Sequence, residues 1–195
     1  MTAVYVDLSM SLDGFVAGRG VSVDNPMGDG GERLHEWMFA GRSAEQSRAF
    51  EDERFAATGA LIMGRTMLEV GVGPWGDNPT FHAPVFVVTH RPAPPIVKQG
   101  GTTYTFVADG PQAALAQARV AAGHQDICVA GGAAIAREYL NAGVVDELYL
   151  HIVPILLGAG VPVFPLERGP MELALRPGVT DDAGVVHLRY DVRSP

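Results

Sequence analysis

The chain has one cysteine, one lysine and no uninterrupted apolar run of about 18 residues. Each scarcity removes a class of function. A single thiol forms no internal disulfide and no multi-cysteine metal site. Cys128 stands inside the apolar run Ile127-Cys128-Val129-Ala130, which reads as a buried structural position. Without a long apolar run, no helix is expected to span a membrane. Basic residues are also short: Lys98 is the only lysine among fourteen Lys and Arg, and the net charge is −8. That balance argues against nucleic acid or a membrane surface as partner, since both favour a basic face. Histidines number six but are scattered, with no H-E-x-x-H, so no metal site is expected. Phosphate-loop G-x-x-x-x-G-K-[ST] and nucleophile-elbow G-x-S-x-G patterns are both missing.

What is present suits a folded domain. Hydrophobic residues make up 47% of 195 and charged residues only 18%, enough apolar mass for one domain with a sizeable core. The N-terminal stretch Met1-Thr2-Ala3-Val4-Tyr5-Val6-Asp7 enters a strand pattern directly, without a signal-type segment. A soluble cytoplasmic protein is the expectation.

Short apolar runs alternate with helical patterns. Strands are expected at Val4–Met10, Ala60–Met63, Val85–Thr89, Thr103–Val107 and Ile127–Ala130, and helices at Ala44–Ala57, Thr66–Val70, Pro111–Ala122 and Ala133–Ala142. Pro111 and Gly143 punctuate as a helix start and stop would. Such alternation predicts a three-layer α/β fold, a mainly parallel central sheet with flanking helices. From Glu147 the pattern changes. Glu147–Pro154, Met171–Arg176 and Val185–Val192 read as strands joined by loops, predicting antiparallel additions. No repeat or linker interrupts residues 1–195, so one domain is expected. The Gly-rich stretches Gly18–Gly31 and Gly71–Pro84 are either lids over a ligand or plain connections. Gly71-Val72-Gly73-Pro74-Trp75-Gly76 matches G-x-G-x-x-G only in letters: it follows a helical segment and reads as a loop.

Chemistry concentrates at three strand ends. The first is Met63-Gly64-Arg65-Thr66, where a buried strand delivers a glycine, a guanidinium and a hydroxyl to a helix start. The second is Val88-Thr89-His90-Arg91-Pro92. In open α/β sheets ligands bind beyond the carboxyl ends of strands, so Arg65 and Arg91 are expected to converge on one anionic group. Alone, each arginine reads as a solvated strand-end residue; two at matching positions favour a shared anion. The third is Ala130-Gly131-Gly132-Ala133-Ala134, where bare backbone and helix-start amides suit a pyrophosphate or simply make a tight turn.

With these segments in place, the chain resembles the dihydrofolate reductase-like superfamily, in the branch of the riboflavin-biosynthesis reductase domain. The resemblance rests also on Ser9-Met10-Ser11-Leu12-Asp13-Gly14-Phe15-Val16-Ala17 and on Val153-Pro154-Ile155-Leu156-Leu157-Gly158-Ala159-Gly160-Val161-Pro162-Val163-Phe164, in the family's order. It implies NADPH as cofactor, laid across the strand ends, and hydride transfer to a small heterocycle of pterin or pyrimidine type, or to another C=N or C=O acceptor. By position, Gly64, Arg65 and Thr66 with Thr89, His90 and Arg91 would hold the adenosine 2′-phosphate. Gly131, Gly132, Ala133 and Ala134 would hold the pyrophosphate. Leu12, Asp13 and Gly14 would lie by the nicotinamide and substrate. A cis peptide at Gly131–Gly132 and a homodimer are implied too.

Two departures narrow the substrate. Phe15 follows Gly14 where riboflavin-pathway reductases commonly carry Lys or Arg, which argues against a phosphorylated sugar. The zinc deaminase signature, H-x-E with P-C-x-x-C, is missing as well. The acid that faces the pterin in folate reductases is not assignable among Glu32, Glu36, Glu51 and Asp52. Asp13 is the candidate catalytic group. Enclosed by Leu12 and Phe15 it would have a raised pKa and place or relay the proton; otherwise it pins its loop. Trp37, Met38 and Phe39 either wall a substrate pocket or pack in the core, and His151 reads as a core or interface residue. The reading from another class is a module that binds NADPH as a sensor without turnover.

Overall fold

A computed structural model describes residues 2–39, 54–164, 167 and 169–193. Strands β1 (Val4–Ser11), β2 (Phe15–Ala17) and β3 (Thr58–Gly64) lead into helix α1 (Arg65–Gly71). Then come β4 (Pro84–Val88), β5 (Ile96–Val97), β6 (Thr103–Val107), α2 (Pro111–Ala122), β7 (Asp126–Gly131) and α3 (Ala133–Ala142). The remainder is β8 (Glu147–Val153), β9 (Val161–Pro162), β10 (Leu173–Leu175), β11 (Val179–Thr180) and β12 (Val186–Val192). The large sheet runs β10-β12-β8-β1-β7-β3-β4-β6-β5, with β11 paired to β12 and a separate β2-β9 ribbon. This is the mainly parallel α/β architecture expected from the alternation.

The apolar runs become strands buried on both faces. Val4, Val6, Leu8 and Met10 alternate onto one face with Ile62, Ile127 and Val129, against Ala114, Leu115 and Ala118 of α2 and Ile135, Ala136 and Tyr139 of α3. Tyr5, Leu61, Met63, Val85, Val87 and Cys128 take the other face, packed by Leu68 of α1. Each fully buried aliphatic side chain is worth about 1.5–3 kcal/mol relative to exposure, so these two layers hold the sheet's centre. Cys128 is 1% exposed, as its apolar run implies.

Helix limits follow the local signals. Pro111 opens α2, and Gly143 closes α3 in the left-handed region while its N–H reaches Leu140 O and Tyr139 O. Helix α1 starts at Arg65, one residue before expectation. Of Ala44–Ala57, residues 44–53 lie outside the described set, and 54–57 are helical.

One topological difference has a plain cause. β8 pairs parallel to β1, and on this side of the large sheet antiparallel pairing begins with β12, which lies between β8 and β10; at the opposite edge β5 pairs antiparallel to β6. The crossover through α3 returns the chain in the same direction, whereas the loops after β8 do not. Among the described residues no helix is long and apolar enough to cross a membrane.

Candidate cofactor and substrate site

β7, β3 and β4 are adjacent and parallel, so their carboxyl ends form one edge. Gly64 is in register with Val88, and Met63 with Gly131. Register therefore brings Gly64-Arg65, Thr89-His90-Arg91 and Gly131-Gly132 side by side. A Cβ built on Gly64 would stand 3.9 Å from the Gly132 amide nitrogen, which measures how close the two segments lie.

The two arginines do converge. Arg65 Nε donates to Glu69 Oε1 at 2.9 Å, and Arg91 Nη2 donates to the same oxygen at 3.0 Å. The Arg65 guanidinium also lies 4.9 Å from the Phe106 ring centroid, a cation–π contact that fixes its plane. Its Nη1 reaches the Arg91 carbonyl at 3.4 Å. Thr89 Oγ1 accepts the Arg91 amide at 3.0 Å and so shapes the turn that presents Arg91. Thr66 and His90 are exposed at the same edge. Sequence reasoning missed Glu69. Its four-residue spacing from Arg65 was the available signal.

At β7 the backbone turns sharply. The Gly131–Gly132 peptide is cis, as the resemblance implied, and Gly131 has φ +122°. A Cβ on Gly131 would meet Met67 Sδ at 2.9 Å, so the position admits no side chain without moving Met67. Gly132 is different: a Cβ there meets nothing within 4 Å, leaving open space before the first amides of α3. Ala133 is buried and Ala134 exposed on that first turn.

The Leu12–Gly14 turn leaves the end of β1, three interstrand steps (about 14 Å) from β4 along the same edge. Here the expectation for Asp13 needs correcting. Leu12 is 66% exposed and Asp13 itself is exposed, so neither Leu12 nor Phe15 encloses the carboxyl. Its oxygens accept the Leu157 amide at 3.1 Å and the Gly158 amide at 2.7 Å. A hydrogen bond with Ser11, followed by those two amides, holds its pKa below the ordinary carboxylate value rather than above it. Asp13 thus ties the β1–β2 turn to the loop after β8. Glu32 and Glu36 are exposed on short 3₁₀ turns, while Glu51 and Asp52 lie outside the described residues. Trp37 is 4% exposed and belongs to a small core with Leu34, Val153 and Val185; Met38 and Phe39 are exposed. Gly71–Trp75 is a helix end, where the indole packs so closely that a Cβ on Gly71 would fall 2.3 Å from it, and so it is a loop as expected.

A second polar cluster lies under Trp37, unpredicted except that His151 was expected in the core or at an interface. His151 Nε2 is 3.0 Å from Asp7 Oδ1, and its Nδ1 is 2.6 Å from His187 Nδ1. His187 Nε2 lies 3.5 Å from Asp181 Oδ2, and Arg54 pairs with the other Asp7 oxygen. Trp37 covers both imidazoles at 4.8 Å and donates Nε1 to Ser9 Oγ at 3.2 Å. Nearby His35 is pushed down to about 4 by burial, reinforced by His151.

Comparison with known proteins identifies the family and the fold. The family model of the RibD C-terminal domain matches residues 2–186. The uncharacterised protein YwjB of Bacillus subtilis is 29% identical over 86 residues, a stretch spanning 44% of this chain and 48% of that protein. A riboflavin-biosynthesis-type protein from Shewanella sp. PV-4 superposes with a TM-score of 0.73 at 21% identity, covering 99% of this chain and 100% of its own. Dihydrofolate reductase from Enterococcus faecalis, solved with NADP(H), gives a TM-score of 0.59 at 14% identity over 98% and 97% of the two chains. At these identities the structural likeness speaks for the fold.

Proposed function

Because the chain belongs to the RibD C-terminal domain family, a family of reductase-type oxidoreductases, we propose that it is an NADPH-dependent reductase of a small pterin- or pyrimidine-like heterocycle, or of another C=N or C=O compound. One observation carries this reading: two guanidinium groups from different strand ends meet on a single carboxylate oxygen, beside a glycine pair that leaves its backbone open. A fork of donors that converges on one anionic oxygen suits a phosphate monoester. The amides that open α3 suit the neighbouring diphosphate.

When bound, the reduced nicotinamide supplies the hydride. In this reading Arg65 and Arg91, steadied by Thr89 and Phe106, anchor the adenosine end, with Gly64, Thr66 and His90 around it. Gly131, Gly132, Ala133 and Ala134 seat the diphosphate. Leu12 and Gly14 border the nicotinamide. Asp13 serves by pinning that turn in its ionised form, so the proton comes from another donor. Phe15 gives the substrate side an apolar boundary, in keeping with an acceptor without a sugar phosphate.

Calorimetric titration with NADPH, followed by an oxidation screen over pterins, pyrimidines and quinonoid compounds, tests the reading. Binding with turnover of a panel member supports it. Tight binding without turnover on any member favours a sensor module, and no binding at all sinks it. The chain is further proposed to pair as a homodimer through the edge strand β10 and neighbouring β11, where Leu173, Leu175 and Val179 are exposed. Light scattering should then return twice the 20.6 kDa chain mass, and a monomer mass rejects the pairing.

A further inference from the structure

Two arginines are sufficient to grip a phosphate, yet a carboxylate stands between them. Glu69 is one helical turn after Arg65 on α1, and its Oε1 alone receives both Arg65 Nε at 2.9 Å and Arg91 Nη2 at 3.0 Å. The oxygen therefore occupies the point on which the two forks close. The three side chains sum to one positive charge where the arginines alone would give two. None of them is locked in the interior: the side chains of Arg65, Glu69 and Arg91 are 26%, 36% and 70% exposed. Glu69 can rotate into solvent without breaking the core, while Arg65 is held by a further surface, the Phe106 ring.

An acidic oxygen at that point treats two dinucleotides oppositely. A ribose 2′-hydroxyl donates a hydrogen bond to a carboxylate, which is how NAD is favoured elsewhere, whereas a 2′-phosphate is drawn by arginine and repelled by the acid. Here both elements stand at one position. We propose that Glu69 sets the cofactor choice of this chain: it is an internal competitor for the 2′-phosphate, lowering affinity for NADPH and admitting NADH into the same seat. The proposal rests on the reading of this edge as a dinucleotide site. It makes Glu69 a specificity-determining residue, with NADPH bound once the carboxylate has swung aside and NADH bound with it in place.

The experiment is a parallel titration of NADPH and NADH by calorimetry. It uses the wild-type chain, Glu69→Gln, Glu69→Ala, and the double variant Arg65→Ala/Arg91→Ala. Glu69→Gln keeps the length and an accepting oxygen while removing the charge; Glu69→Ala removes both. Both Glu69 variants are expected to shift the NADPH-to-NADH affinity ratio about tenfold toward NADPH, a size between one unit-charge repulsion at about 4 Å in bulk water and the same repulsion near a protein surface. The double arginine variant should lose NADPH binding while NADH changes little. If the ratio for both Glu69 variants stays within about twofold of wild type, or moves toward NADH, while the arginine variant still loses NADPH, the role of Glu69 is overturned and the dinucleotide site stands. If the arginine variant binds NADPH as wild type does, the site reading itself fails and the proposal with it. Circular dichroism of each variant separates a binding effect from a folding one, since α1 position 69 lies on a partly exposed helix surface.

Discussion

The Nδ1 atoms of His151 and His187 face each other at 2.6 Å across the β8–β12 pair, where the two residues are in register. Two ring nitrogens at that distance share a proton: one donates and the other accepts. The opposite nitrogens face carboxylates, Asp7 on one side and Asp181 on the other. Replacing His187 by alanine removes a buried ring together with its contacts to His151 and Asp181 under Trp37, and should cost about 2–5 kcal/mol in urea unfolding.

His35 carries a pH dependence of definite sign. Its Nδ1 is shielded from solvent, with no hydrogen-bond acceptor or donor among the described residues, and burial pushes the ring's pKa down to about 4 from 6.5. The unfolded chain takes up a proton at the ordinary value; the folded chain resists it. The neutral ring's full contribution is therefore present above pH 6.5 and is lost as pH falls toward 4, a change on the order of 3 kcal/mol. Urea midpoints measured from pH 7.5 to 4 should fall across that window. The His35→Gln variant should show a flatter profile, and an equal slope in both proteins would exclude His35 as the cause.

How far the molecule was readable beforehand depends on how local each cause is. Pro111 and Gly143 act on their own backbone, and they bound α2 and α3 where the structure has them. The apolar runs around Leu61, Val87 and Val129 need burial on both faces wherever they lie, so they are strands in the structure too. The convergence of Arg65 and Arg91 was legible because parallel neighbours end on the same edge. Glu69 was not, since its second arginine comes from a different strand. The His151–His187–Asp7 cluster needed three strands in a specific register, which no local pattern encodes. Asp13 misled for a related reason. Its surroundings in sequence are apolar, but the amides that hold it belong to Leu157 and Gly158, far along the chain.

Gly131 should tolerate no side chain. At φ +122° an alanine is strained in its backbone, and its Cβ runs into Met67 Sδ at 2.9 Å. Gly131→Ala is expected to destabilise the fold by about 1–3 kcal/mol and to displace Met67, the helix α1 residue two positions after Arg65. Gly132→Ala, with open space around the added methyl, should leave stability nearly unchanged. Thermal melts of the two variants side by side decide the point: equal losses would mean that the close approach of Met67 does not govern the turn.

Asp13 offers the sharpest separation between an anchoring and an acid role. Its carboxylate stays ionised below the usual carboxylate range, because Ser11 and the Leu157 and Gly158 amides all favour the charged form. The anchoring it provides is present above the ordinary carboxylate pKa and is lost only as pH falls through the lower folded value. Hydrogen exchange of the Leu157 and Gly158 amides should therefore remain slow through pH 5. In Asp13→Asn, which retains one accepting oxygen where the carboxylate has two, exchange of at least one of these amides should quicken at every pH. The pH profile of kcat with any panel substrate should keep its shape in that variant, while KM rises as the turn loosens. A profile that loses an ionisation in Asp13→Asn, with both amides still protected, would instead make Asp13 the proton donor.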